Sequence, residues 1–188
     1  MIYTTNCKGA SDLDVSLGKR AQFDGVEIKS SPHHFSSYWE TSFPLGRALR
    51  ADAGRFDLMH LHSLYMYHDM AGGRAARLNG IPYIVRPHGT LDPYIWRRRR
   101  ARKSLFEAWF QNSVLENAAA LHYTTDDEWR LTNPVARNPR GFVVPNGLDM
   151  DEFADLPPRG SFRARHPGIG DRPIILFLGR LNFKKGLD

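Results

Sequence analysis

Residues 81–93, IPYIVRPHGTLDP, decide how this chain is read. Ile81 to Val85 is a short apolar and aromatic run, the composition of a strand, and the strand is expected to end at Gly89. Asp92 is a good helix N-cap, and Pro93 suits the first helical position because its missing N–H costs nothing there. The stretch therefore reads as strand, turn, helix. His88 stands at the strand end, just ahead of the helix.

The same alternation continues on both sides. Upstream, FDLMHLH (56–62) alternates like a strand, and YHDMAGGRAARLNG (67–80) is a helix closing on Asn79-Gly80. Downstream, a long helix is expected from Pro93 to about Asn117, with Leu105, Phe106, Trp109, Phe110, Val114 and Ala118 at helical spacing. ALHYT (120–124) is a strand. Thr125 and Glu128 have capping-box spacing ahead of a short helix at DDEWRLT (126–132). GFVVPNG (141–147) is strand plus turn, and PIILFLG (173–179) is a last strand. Strands alternating with helices predict right-handed crossovers and an α/β, doubly wound parallel sheet.

The first 55 residues are less regular. IYTT (2–5) reads as a short strand, CKGASDLD (7–14) as a polar loop, and FDGVEIKS (23–30) as a strand entered through Asp24-Gly25. SSPHHFSSYWETSF (30–43) is irregular, and PLGRALRADAGR (44–55) is a helix with Pro44 in its first turn. The segment from Leu156 to Pro173 is rich in Pro, Gly and Arg and has no periodicity. The division expected is a domain over 1–153, a linker over 154–172 and the start of a second domain over 173–188.

Hydrophobic residues make up 41% of the 188 and aromatics 12%, enough for a packed core. A single cysteine, Cys7, excludes an internal disulfide and a Cys-rich zinc site, and fits a reducing cytosol. No charged-then-apolar leader opens the chain, and no apolar run approaches a bilayer span. The net charge of +6 has one source. Residues 97–103, RRRRARK, hold six cations; the other 20 Lys and Arg balance the 20 Asp and Glu. A nucleic-acid binder spreads its cations along a face, so no nucleic-acid partner is expected. One local cluster suits an anionic membrane, a bound phosphate or plain solvation.

Ligands of an open parallel sheet bind beyond the carboxyl ends of its strands. His88 falls there, where its neutral ring can hydrogen-bond a hydroxyl; a loop histidine satisfied by backbone is the other reading. His60 and His62 share one side of a strand, but no third metal ligand stands at a telling spacing, so packing and a strand-end cap are favoured. Near the C-terminus, Arg180 follows a strand and Lys185 lies near an expected helix N-terminus. An arginine fork, a lysine charge and backbone N–H groups there would clamp a diphosphate; two solvated cations are the alternative. Neither GxxxxGK[ST] nor GxGxxG is present. Trp96 with Arg97, Arg98, Arg99, Arg100, Arg102 and Lys103 could meet anionic headgroups, or the apolar stripe of that helix is core and the cations are solvated.

Taken in order, DLMHLH, IPYIVRPHGTLDP, AAALHYTTDDE, FVVPNGLDMDEF and PIILFLGRLNFKKGLD resemble glycosyltransferase family 4, enzymes of the GT-B fold. The resemblance covers about residues 56–188. It implies two Rossmann-like domains facing a cleft and retaining sugar transfer from a nucleotide-sugar without a metal or other cofactor. It places His88 near the reacting centre, and Gly179, Arg180 and Lys185 on the donor diphosphate. The acceptor is implied to be a saccharide of bacterial surface-polysaccharide synthesis, lipid-linked acceptors included, at the cytoplasmic face of the membrane. The family's usual opening strand and glycine-rich loop are not matched, nor is the paired-glutamate motif of its second domain. The resemblance thus implies a fragment, with a gap beside IYTT and no transfer by the 188 residues alone. The competing expectation is a non-catalytic basic module that binds acidic membrane or nucleic acid through residues 97–103.

Overall fold

In the computed structural model, which describes residues 1–9, 11–34, 39–93, 110–179 and 181, the decisive stretch forms β7 (Tyr83–Arg86). It lies between β6 (Met59–His62) and β8 (Ala120–Tyr123), and β9 (Gly141–Val143) completes a sheet of order β6-β7-β8-β9. All three pairings are parallel. Leu61 faces Val85, and Leu121 is opposite both Val85 and Gly141. These three side chains are buried and form one dry row across the sheet, as strands covered by crossover helices require. Tyr83, Val114, Leu115, Ala118 and Tyr123 extend the same core.

The β6–β7 crossover is α2 (Tyr67–Asn79). It can lie close to the sheet because Gly72 has no side chain: a Cβ there would stand 2.6 Å from Leu61 Cδ2. Gly80 ends the helix in the left-handed conformation (φ +68°), with its N–H bonded to the last turn. After β8, Thr125 caps α4 (Asp126–Thr132), its Oγ1 accepting from Glu128 N at 3.1 Å. The long helix expected after Pro93 falls largely on residues 94–109, outside the described residues. Its end is helical as α3 (Asn112–Glu116).

The N-terminal part departs from a purely parallel sheet. Here β1 (Ile2–Thr5) pairs parallel with β5 (Val26–Ser31), but β4 (Arg20–Phe23) runs antiparallel to β5. The Asp24-Gly25 turn that joins them has φ of +47° and +75°, the twist a two-residue hairpin needs. β4 escapes a sequence reading because all four of its residues are exposed, which leaves no apolar alternation. CKGASDLD is likewise not all loop: β2 (Cys7–Lys8) and β3 (Ser11–Asp12) form a small antiparallel pair.

No ladder joins the two larger sheets among the described residues. β1 and β6 are edge strands that border a common groove, the position where the resemblance implies a gap. Behind it runs α1 (Phe43–Asp52), whose Leu45 and Leu49, with Ala53 just beyond, pack with Tyr3 of β1 and Met59 of β6. Ser42 anchors this helix. Its hydroxyl donates to Pro32 O at 2.6 Å and accepts from Leu45 N at 3.2 Å.

Met1–Asn146 is one compact unit and Gly147–Asp188 a second. The second holds α5 (Ser161–Arg165), with Arg163 donating to the carbonyls of Gly170 and Arg172. The strand expected at PIILFLG does not form. Residues 173–178 belong to no strand, and Ile175, Leu176 and Leu178 are 99%, 79% and 91% exposed. A strand needs a neighbour's ladder, and the described part of this unit offers none.

Candidate functional site

Because β6, β7 and β8 are parallel, their carboxyl ends open on one edge of the sheet, and the chain turns sharply there. After β7 two successive residues, His88 (φ +53°) and Gly89 (φ +70°), are left-handed. After β6, Ser63 (φ +73°) and Tyr65 (φ +64°) are too. Such residues persist only where their surroundings hold them, and they gather at functional sites. Thr90 Oγ1 donates to Pro87 O at 2.7 Å and closes the His88 turn on itself.

Glu128 ties this turn to the next one. Its Oε1 accepts from Gly89 N at 2.9 Å, and its Oε2 accepts from Thr124 N and Thr124 Oγ1 at 2.8 and 2.9 Å. In a capping box the glutamate would return to the N-cap N–H; here it takes the N–H one residue earlier and reaches across to β7. Burial pushes the Glu128 carboxyl up, but the donors from Thr124 and Gly89, with His88 nearby, outweigh it and leave the group below its ordinary value.

His88 meets three further histidines along this edge. Its Nε2 lies 2.9 Å from His62 Nδ1. The His62 and His60 rings are 4.5 Å apart, as expected of alternate residues on one strand. His122 Nδ1 is 3.3 Å from His60 Nε2, and His122 Nε2 lies 2.9 Å from Val144 O. Since that carbonyl can only accept, Nε2 of His122 carries the proton. Nδ1 of the same ring faces His60 Nε2. The row is anchored at one end on a backbone carbonyl.

Desolvation lowers the pKa of His60, His62 and His88, and neighbouring rings and the Arg86 guanidinium lower it further. For His62 the value falls to about 4. Glu128 pulls His88 the other way without reversing the shift. Arg86 is buried and donates to Asn146 Oδ1. All three shifted imidazoles are therefore neutral at pH 7, able to donate at one nitrogen and accept at the other.

A stability signature follows. In the unfolded chain His62 binds a proton near its ordinary value of about 6.5, whereas in the folded chain it does so only near 4. The unfolded state takes up more protons between those values, so stability falls as pH drops through that window. Thermal melts between pH 7.5 and 4 should show Tm of His62→Gln declining less steeply than that of the wild type. Parallel curves would mean that the cluster does not hold His62 neutral.

His88 thus lies where the sequence places it, and His62 joins it rather than merely capping its own strand. His122, Arg86, Asn146 and the Glu128 bridge escape the sequence reading. Only strand register brings His122 beside His60, and Glu128 reads from sequence as a cap alone. Gly179 lies in the second unit, where a Cβ would meet the Phe177 ring at 3.2 Å. Arg180, Lys185, Trp96, Arg97 to Arg100, Arg102 and Lys103 lie outside the described residues. Among the described residues no three His, Cys, Asp or Glu side chains converge as metal ligands, and no helix is long and apolar enough to cross a membrane.

Residues 11–147 match the model of a family described as a glycosyl transferase 4-like domain. Over 133 residues the chain is 27% identical to the alpha-maltose-1-phosphate synthase of Mycolicibacterium smegmatis, a match over 68% of this chain and 34% of that protein. The crystal structure of Anabaena HepE in complex with UDP and glucose superposes with a TM-score of 0.52 at 16% identity, over 77% of this chain and 38% of that one. At that identity the likeness is one of fold. The chain spans about a third of the length of the curated relative it matches.

Proposed function

The chain belongs to the glycosyl transferase 4-like domain family, and we propose that it is the acceptor-side domain of a retaining glycosyltransferase of GT-B type. The reaction proposed moves a hexose from a nucleotide-sugar to a saccharide acceptor of bacterial surface-polysaccharide synthesis, lipid-linked acceptors included, at the cytoplasmic face of the membrane. The observation that carries this reading is the neutral His88, fixed at the carboxyl edge of the sheet by Glu128 and touching His62. A neutral imidazole there can hydrogen-bond a sugar hydroxyl without adding charge to the reacting centre.

The donor side is assigned to Gly179, Arg180 and Lys185. Two cations aimed at a diphosphate stabilise the negative charge that develops on the leaving nucleotide, so no metal is required for that step. Trp96 and the Arg97–Lys103 cluster are assigned to an anionic membrane surface or to an acidic acceptor.

The test is a transfer assay on the 188-residue chain and on the chain expressed in its full genomic frame, with UDP-, ADP- and GDP-hexoses and a panel of saccharide and lipid-linked acceptors. Product of retained anomeric configuration from the full frame, and none from the 188 residues, is the expected result. If no donor is turned over in either form while residues 97–103 still bind anionic vesicles, the protein is a basic binding module instead.

A further inference from the structure

One buried polar pair lies close to the site and is unused by the proposed reaction. Gln111 stands in a π turn just before α3 and is fully buried; such wide turns recur at functional positions. Its Oε1 accepts from Tyr65 N at 2.7 Å, across 46 residues of chain. Because the Tyr65 N–H can only donate, the amide must present its oxygen there and its NH2 elsewhere. That NH2 is buried without a hydrogen-bond partner among the described residues, and so is Oδ2 of Asp69.

Asp69 lies in the first turn of α2 and is also fully buried, with Oδ1 accepting from Met70 N at 2.8 Å. Burial pushes its carboxyl up to about 6, while His68, the N–H groups of Met70 and Met66 and the Gln111 amide pull it down. Gln111 is therefore a close neighbour, and the two unpartnered groups are matched: a carboxylate oxygen only accepts, and an amide NH2 only donates. If the amide turned over, its oxygen would meet the Asp69 carboxylate and its NH2 the Tyr65 N–H. Both contacts would then be repulsive.

The turn held in this way needs a restraint, because Ser63 and Tyr65 are both left-handed without being glycine. Ser63 N donates to Arg86 O at 3.0 Å, which ties the turn to the end of β7. The turn starts from His62, whose carbonyl accepts from His68 Nε2 at 2.9 Å and whose Nδ1 lies 2.9 Å from His88 Nε2. Whatever fixes Tyr65 thus bears on the ring that touches His88.

We propose that Gln111 and Asp69 are positioning residues for the His62–His88 pair. Gln111 holds the left-handed Tyr65 turn through its oxygen, and Asp69 keeps the amide facing that way. The effect on transfer rests on the proposed reaction; the effect on the two imidazoles does not.

The test is an exchange of the two groups. Asp69→Asn alone sets two NH2 groups against each other, and Gln111→Glu alone sets two carboxyls together. The double variant restores one donor and one acceptor with the roles reversed, and leaves an oxygen for the Tyr65 N–H. In the full-frame enzyme each single change should lower kcat about ten- to a hundredfold, and the exchange should return it to within about threefold of wild type. The imidazole NMR signals of His62 and His88 in the 188-residue chain need no sugar donor to be read. They should move in both single variants and return to their wild-type positions in the exchange. If they do so while no form transfers sugar, the reaction reading fails and the positioning role stands. Single variants that leave both signals and kcat unmoved overturn the proposal. Where a single variant fails to fold, the exchange decides: a folded double variant with wild-type signals supports the pairing, and one that restores neither fold nor signals overturns it.

Discussion

Replacing His88 by Asn in the assembled transferase is expected to lower kcat by about two to four orders of magnitude, the range a positioned proton-transferring or hydrogen-bonding group contributes. Asn is the informative substitution because His88 has φ of +53°. Asn tolerates the left-handed region far better than most residues, so the turn, the Gly89–Glu128 bond and Tm should be preserved while the imidazole is lost. His88→Ala would mix the chemical loss with backbone strain of about 1 kcal/mol. His62→Gln should have a smaller effect on kcat than either, since in the proposed reaction His88 meets the reacting atoms and His62 touches only His88. An H88N enzyme that keeps activity within about threefold of wild type would remove His88 from the reacting centre.

The second large effect is expected at Glu128. Its carboxylate accepts three hydrogen bonds that join the turn after β7 to the turn after β8. Glu128→Ala leaves the Gly89 and Thr124 N–H groups without that partner in a half-buried place. A loss of roughly 2–4 kcal/mol in unfolding free energy is expected from bonds to a charged acceptor, together with a fall in kcat because His88 is no longer held. Glu128→Gln has one oxygen and one NH2, so it can serve one turn but must present a donor to the other, and its effect should fall between. The pH dependence has a definite sign. The folded carboxyl titrates below its ordinary value, so its contribution is complete above about 4.3 and is lost as pH falls through the folded pKa. Urea melts of E128Q and wild type should therefore converge at strongly acid pH. A gap that persists there would mean that packing, not the charged bridge, gives Glu128 its effect.

Much of the architecture is legible in the chain itself. Apolar runs ending in Gly or polar residues locate β6, β7, β8 and β9. The Asn79-Gly80 stop and the Thr125 cap are local chemistry, decided by which residues accept a positive φ or present a side-chain oxygen to an open helix turn. His88 could be picked out because position at a strand end is itself a local property. β4 could not, since four exposed residues carry no periodic signal, and PIILFLG misleads for the converse reason. Its apolar pattern states what the segment would bury in a sheet, and no partner strand for it lies among the described residues.

The histidine ladder belongs to a different level. His62 and His88 are 26 residues apart, and His60 and His122 are 62. They meet only because β6, β7 and β8 align in one register, where a slip of a single residue would turn one partner to the opposite face. Glu128 likewise shows in sequence as a cap, and its reach to Gly89 depends on how α4 sits over the end of β7. Sequence alone determined the order of strands and helices, the helix stops and the placement of His88, because each is set within a few residues of backbone. The proton-poor cluster and the carboxylate bridge were decided by tertiary structure, because each is made by side chains and main-chain groups that only sheet pairing brings together.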